Sequence, residues 1–196
     1  MASNPLLVLA SGSPRRLDLL TSAGLNADVR PADVDETPLD GEPAGDYVER
    51  LARSKAGAVG RSDELVIGAD TAVVDGAQIL GKPIDSSEAK AMLRSLSARR
   101  HRVLTGVAAR RGPTIESIVV ATMVEFRLLT DDDINWYVGT GEPMDKAGSY
   151  AIQGRAASFV RSIEGSVTNV IGLPLAETLD LVARFGIDTT SLRSHR

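Results

Sequence analysis

Leu6-Leu7-Val8-Leu9-Ala10-Ser11-Gly12-Ser13-Pro14-Arg15-Arg16 reads as a strand, a tight turn and a helix start in immediate succession. The apolar run Leu6–Leu9 is too short for a helix and stops at a Ser/Gly cluster, as a buried strand does. Pro14 suits the first turn of a helix, with Ser13 before it as the expected N-cap. Leu17, Leu19, Leu20 and Ala23 give that helix an apolar side, and Gly24 ends it. Arg15 and Arg16 then fall in the first turn, where the helix dipole favours negative charge. Free backbone N–H groups, two hydroxyls and two guanidinium groups together suit a polyphosphate guest. The competing reading is a capped surface helix with two solvated arginines.

Composition narrows the classes. The chain has 196 residues, 43% of them hydrophobic and 24% charged, which is ordinary for one large globular domain or two joined lobes. It has no cysteine, so disulfides and cysteine-held zinc are out, and a reducing cytoplasm is the expected setting. His101 and His195 are too far apart in sequence for a recognisable histidine metal motif. A net charge of −4 argues against general nucleic-acid affinity, so cations beside glycines carry more meaning. The N-terminal apolar run has its arginines after it rather than before, unlike a signal peptide, and no stretch has transmembrane length.

Along the chain, Ala27–Ala32 is expected as a short strand running into an acidic loop with Asp33, Asp35 and Glu36. Pro43 opens a second helix, in which Tyr47, Leu51 and Lys55 fall at i, i+4 and i+8. Lys55 therefore lies near the apolar stripe, with its stem available for burial. Leu65–Val74 is the strongest strand signal, Asp75-Gly76 fits a hairpin turn, and Gln78–Leu80 is the returning strand. Asp70 sits in the middle of that apolar run, where a carboxylate is expensive to bury unless paired or bound to a cation. Gly68 and Ala69 leave room for something to approach the backbone there.

Gly81-Lys82-Pro83 holds a lysine between a flexible and a rigid residue but lacks P-loop spacing. A helix over Ser86–Ser97 follows, then strands over His101–Ala109 and within Ile115–Leu129. His101, inside Arg99-Arg100-His101-Arg102, reads as a surface strand residue. Thr130-Asp131-Asp132-Asp133 starts a capped helix that Trp136-Tyr137 and Gly139 finish. Gly141–Gly154 is a glycine-bearing loop of the kind that carries function. Ala157–Ile163 is expected as a strand and Pro174–Phe185 as the last helix, with a frayed tail over 187–196. Residue chemistry thus yields an α/β fold with the cations Arg15, Arg16, Lys55, Lys82 and Lys146. The acids are Asp33, Asp35, Glu36, Asp70 and Glu142, and the set fits metal-assisted hydrolysis of a nucleotide.

The order of several blocks carries a sharper resemblance. Ala10-Ser-x-Ser-Pro-Arg-Arg16, Gly68-Ala-Asp-Thr71, Gly81-Lys-Pro83, His101-x-Val-x-Thr-Gly106, Glu142-Pro-x-Asp-Lys-Ala-Gly148, Ile152-Gln-Gly154 and Asn169-Val-x-Gly-Leu-Pro174 together resemble the Maf family. The resemblance implies one domain over the chain, with an elongated α/β mixed-sheet fold similar to the inosine triphosphate pyrophosphatases and a cleft between two lobes. It implies a hydrolase that splits nucleoside triphosphates into the monophosphate and pyrophosphate, using a divalent cation, Mg²⁺ first and Mn²⁺ or Co²⁺ as alternatives. By the same resemblance Asp70 is the catalytic base or a metal ligand, and Glu36 helps to hold the ion. The resemblance implies that Ser11, Arg15, Arg16, Lys55 and Lys82 bind the triphosphate. Arg15, Thr71 and Gln153 match the subgroup that cleaves dTTP and UTP, whereas the 7-methyl-GTP subgroup carries an aromatic, Gln and Glu there. Val167 departs from the aromatic usual in the family.

The implied partner is a small nucleoside triphosphate, with no nucleic acid and no membrane; a homodimer is compatible with the reading. Maf proteins were first named as septum-formation inhibitors. The alternative function is therefore a non-enzymatic cell-division regulator that binds a partner through the same cleft. A purine-cleaning enzyme of the inosine triphosphate type is a third reading, and it would lack the Ser-Pro-Arg-Arg block.

Overall fold

A computed structural model describes residues 7–189. Leu6, His195 and the tail from residue 190 lie outside the described residues. The chain is mixed α/β, as expected from the sequence. Strands β1 (Leu7–Leu9), β2 (Asp28–Val29), β3 (Leu65–Asp75), β4 (Gln78–Leu80), β5 (Arg100–Arg111), β6 (Thr114–Phe126) and β7 (Val160–Glu164) form one sheet. Their order is β2-β1-β3-β5-β6-β7, with β4 on β3. β1 is parallel to both β2 and β3, whereas β3/β4 and β6/β7 are antiparallel. The helices are α1 (Pro14–Ser22), α2 (Ala44–Ala58), α3 (Ser86–Leu96), α4 (Asp131–Gly139), α5 (Val167–Ile171) and α6 (Leu175–Ala183).

Contacts divide the chain into two compact units. Among the described residues, the first holds residues 7–70, Thr105–Val120 and residues 172–189. The second holds Thr71–Leu104 and Ala121–Ile171.

In the first unit, α2 buries Val48, Leu51, Ala52, Lys55 and Ala56, while Val8, Ala10, Ala52, Ala56, Val66 and Ala108 form one apolar cluster. Two glycines permit this packing. A Cβ at Gly68 would meet Ala52 O at 2.2 Å, and one at Gly106 would meet Val48 O at 2.3 Å. The approach that Gly68 leaves room for is therefore that of helix α2, whose backbone lies directly on the strands. Arg110 closes the far end of α2 by donating to Ala56 O and Val59 O, each at 2.7 Å, which satisfies carbonyls a helix end leaves open.

The second unit has a core of its own, rich in aromatic rings. Val73, Met92, Leu93, Leu96, Phe126, Ile134, Tyr137, Tyr150 and Phe159 pack together among its buried residues. Helix α4 begins with the expected capping box, Thr130 accepting from the Asp133 N–H and Asp133 from that of Thr130.

Several local expectations are corrected. Ser13 does not cap α1 with its side chain; the Ser13 N–H instead donates to Ser11 Oγ at 3.2 Å. The strand expected over Ala27–Ala32 shrinks to Asp28–Val29. The last strand starts only at Val160, because Arg155–Phe159 winds into a 3-10 turn that buries Phe159. Helix α5, five residues long, is too short to show an apolar period in the sequence. His101 is buried, 2% exposed, rather than on the surface. Its ring lies edge-on to Phe126 and Tyr150, and Nε2 is 2.9 Å from the Tyr150 hydroxyl. Alternation along β5 places it on the core side while its arginine neighbours stay exposed.

Candidate active site

The turn after β1 and the first turn of α1 are tied together by Arg16. Its Nη1 donates to Ser11 Oγ at 2.9 Å and its Nε to Gly172 O at 2.8 Å. Ser11 is buried and thus serves the arginine and the Ser13 N–H at once. Burial holds the Arg16 guanidinium below its ordinary pKa, with the Asp70 charge opposing that shift and Arg15 adding to it. Arg15 is half-buried, and its Nε is enclosed without a hydrogen-bond partner among the described residues. Two guanidinium groups this near to each other suit an anion.

Asp70 lies at the end of the apolar part of β3 that belongs to the first unit. It is 8% exposed, and Oδ1 accepts from Lys55 Nζ at 2.7 Å. The same ammonium lies 2.6 Å from Glu36 Oε1. Lys55 is itself buried, whereas the Glu36 side chain is half exposed. Burial pushes the Asp70 carboxyl above its usual range, and Lys55 and Arg16 pull it back. Lys55 therefore contacts two carboxylates in this structure, and its stem is buried along α2 as the i, i+4, i+8 spacing implies.

Both carboxylate oxygens converge on the point the ammonium holds. That donor set fits a hard divalent cation such as Mg²⁺, which takes one or two carboxylates and completes its shell with water and phosphate oxygens. No group of three His, Cys, Asp or Glu side chains placed to hold a metal occurs among the described residues.

Other acids resolve differently. Asp35 Oδ1 accepts from the Thr37 N–H at 2.9 Å, and the Thr37 hydroxyl first, then this N–H, hold its carboxyl below the usual range. Asp33 is exposed. Glu142, grouped with the acids on sequence, belongs to the second unit and binds Tyr137 and the Arg155 backbone there. Lys146 donates to Glu142 O at 2.8 Å and pairs with Asp145.

Thus Ser11 with Arg16, and Lys55 with Asp70 and Glu36, come together in the first unit. Thr71, Lys82 and Gln153 lie in the second: Thr71 half-buried on β3, Lys82 and Gln153 exposed. Tyr137 and Tyr150 escape sequence reading, because each looks like ordinary core; only the glycines and the Glu142-Pro143 pair near them hint at an organised loop.

No helix among the described residues is long and apolar enough to cross a membrane. The fold resembles a HAM1 protein from Coxiella burnetii with a TM-score of 0.50 at 16% identity, covering 93% of this chain and 100% of that one. A dTTP/UTP pyrophosphatase from Anaeromyxobacter dehalogenans is 58% identical over 93% of this chain and 95% of its own. Relatives of the same name from Myxococcus xanthus and Geobacter sulfurreducens are 51% and 50% identical, over 95% and 92% of this chain and 95% and 96% of their own. The family described as Maf-like protein matches residues 6–185, nearly the whole chain, and the chain belongs to that family.

Proposed function

We propose that the chain hydrolyses dTTP and UTP to the nucleoside monophosphate and pyrophosphate, with a divalent cation, Mg²⁺ first among the candidates. The names of relatives at 50–58% identity support the reaction class. The observation that carries it in this chain is the buried Asp70 carboxylate, bridged by Lys55 to Glu36 and within the field of Arg16. An ion pair kept out of water is weak evidence of stability, so its presence in an apolar strand calls for a chemical use.

Asp70 and Glu36 would hold the cation, which when bound supplies Lewis-acid polarisation of the phosphate oxygens and eases ionisation of a bound water. Asp70 takes the proton from the attacking water as its oxygen bonds the α-phosphorus. The bond from that phosphorus to the α,β-bridging oxygen breaks, and pyrophosphate leaves. Arg15, Arg16, Lys55 and Lys82 counter the charge of the triphosphate, and Ser11 donates to it; such preplaced charge is the main lever in phosphoryl transfer. For this, the Lys55 ammonium exchanges a carboxylate for a phosphate oxygen. Gln153 would read the O4/N3 edge of the base, and Arg15 and Thr71 would contribute to selectivity. A cytoplasmic setting belongs to the same proposal, and action on free nucleotides together with the absence of cysteine supports it. A panel of nucleoside triphosphates with Mg²⁺, scored for pyrophosphate against orthophosphate, tests the reading. Pyrophosphate from dTTP and UTP supports it, and orthophosphate or no turnover contradicts it.

A further inference from the structure

Gln153 is exposed within the span Ala151–Arg155, and one pair of side chains holds both ends of that span. Tyr137, the buried phenol of α4, donates from its hydroxyl to Glu142 Oε1 at 3.0 Å. The same hydroxyl accepts from the Ala151 N–H at 3.2 Å. Glu142 in turn accepts the Arg155 N–H, at 3.0 Å on Oε1 and 3.2 Å on Oε2, with the Arg155 guanidinium 3.7 Å away. The Gly154 N–H closes the turn onto Ala151 O at 3.0 Å.

The fit is close. A Cβ at Gly154 would lie 2.0 Å from Glu142 Oε1, so the backbone beside Gln153 rests on the carboxylate itself. Preceding this span, the Gly148 N–H donates to Gly81 O at 3.0 Å, which ties the loop to the residue before Lys82. Glu142 thus spends its oxygens on loop backbone, a costly use of a carboxylate unless the loop must keep one shape.

We propose that Glu142 and Tyr137 are positioning residues that hold Gln153 and thereby set discrimination between uracil and cytosine nucleotides. The inference rests on the reading of Gln153 as the base-contacting residue. An amide carries a donor and an acceptor on one rotor, so a loosely held glutamine can satisfy the uracil edge or, turned over, the cytosine edge. Discrimination requires a backbone that limits which approach reaches the base, and misplacement by about 1 Å costs on the order of 100-fold in a positioned site.

The test measures kcat and KM for UTP and CTP in the wild type, Tyr137→Phe, Glu142→Gln, Gln153→Ala and the Tyr137→Phe/Gln153→Ala pair. Tyr137→Phe keeps the ring against Phe159, 5.2 Å between centroids, so it preserves packing while removing both hydroxyl links. The expected result is a fall of about tenfold or more in the UTP-over-CTP ratio for each clamp variant, mainly through KM for UTP. On the Gln153→Ala background, Tyr137→Phe should leave the ratio where Gln153→Ala has already put it. If Gln153→Ala lowers the ratio while both clamp variants reduce the two substrates equally, the clamp has no positioning role and the inference is overturned. A ratio that Gln153→Ala itself leaves unmoved removes the base-reading assignment, and this inference with it.

Discussion

Lys55 and Asp70 are both buried, and the Lys55 ammonium donates to Asp70 Oδ1 at 2.7 Å while also reaching Glu36 Oε1 at 2.6 Å. The two partners are not equivalent. Lys55→Met leaves a buried carboxylate without its bonded cation and is expected to cost about 3 kcal/mol of stability. Asp70→Asn leaves Lys55 paired with Glu36 and should cost about 1 kcal/mol, since an amide still accepts the bond. Urea denaturation of the two variants checks the order: a larger loss for Asp70→Asn contradicts it. In activity the ranking need not follow stability. Asp70→Asn should lower kcat by about two to four orders of magnitude, the range for a lost general base.

Helix α2 carries Lys55 to Asp70 only because Gly68 and Gly106 let its backbone lie on the strands. Gly68→Ala would place a methyl 2.2 Å from Ala52 O, against backbone that has no freedom to move aside. Its expected cost is about 3 kcal/mol or more, at the upper end of overpacking effects. Gly57→Ala, in the same helix with open space around it, should be neutral or slightly stabilising. Thermal melting of the pair is the check, and equal melting points would contradict the close approach.

His101 makes stability depend on pH. Burial holds its imidazole down to about 4, below the ordinary 6.5, with Asp75 opposing, and Nδ1 is enclosed without a hydrogen-bond partner among the described residues. Because the folded-state value is depressed, the unfolded chain binds the proton first. The contribution is fully present above pH 6.5 and is lost as pH falls toward 4. The loss amounts to about 3 kcal/mol by the end of that window. His101→Gln, which can keep a bond to Tyr150, should flatten this part of the pH profile. Denaturant midpoints between pH 7.5 and 4 measure it, and an unchanged slope in the variant contradicts the assignment.

Much of the site is legible in the sequence because its residues break local rules. Asp70 interrupts an apolar strand, Arg15 and Arg16 oppose a helix dipole, and Lys55 falls on an apolar stripe; each violation marks a charge that another group must answer. The hairpin at Asp75-Gly76 and the capping box at Thr130 are equally plain, since both rest on contacts within a few residues. Tyr137, Tyr150 and His101 are not legible. Their roles depend on which groups reach them from other parts of the chain, and apolar periodicity is silent on that. The acid tally also misleads at Glu142, because composition counts carboxylates without knowing that this one is taken up by the Arg155 and Tyr137 donors. Gly68 shows the intermediate case: the need for space is visible in the sequence, but the occupant is helix α2.

The central claim is attack of water at the α-phosphorus of a pyrimidine nucleoside triphosphate. Turnover of UTP in ¹⁸O-labelled water with Mg²⁺, followed by mass spectrometry of the products, tests it most directly. The account predicts the label in the nucleoside monophosphate, unlabelled pyrophosphate and no nucleoside diphosphate, with the rate lost in Asp70→Asn. Label in pyrophosphate would place the attack at the β-phosphorus, and nucleoside diphosphate with labelled orthophosphate would place it at the γ-phosphorus; either result would contradict the account.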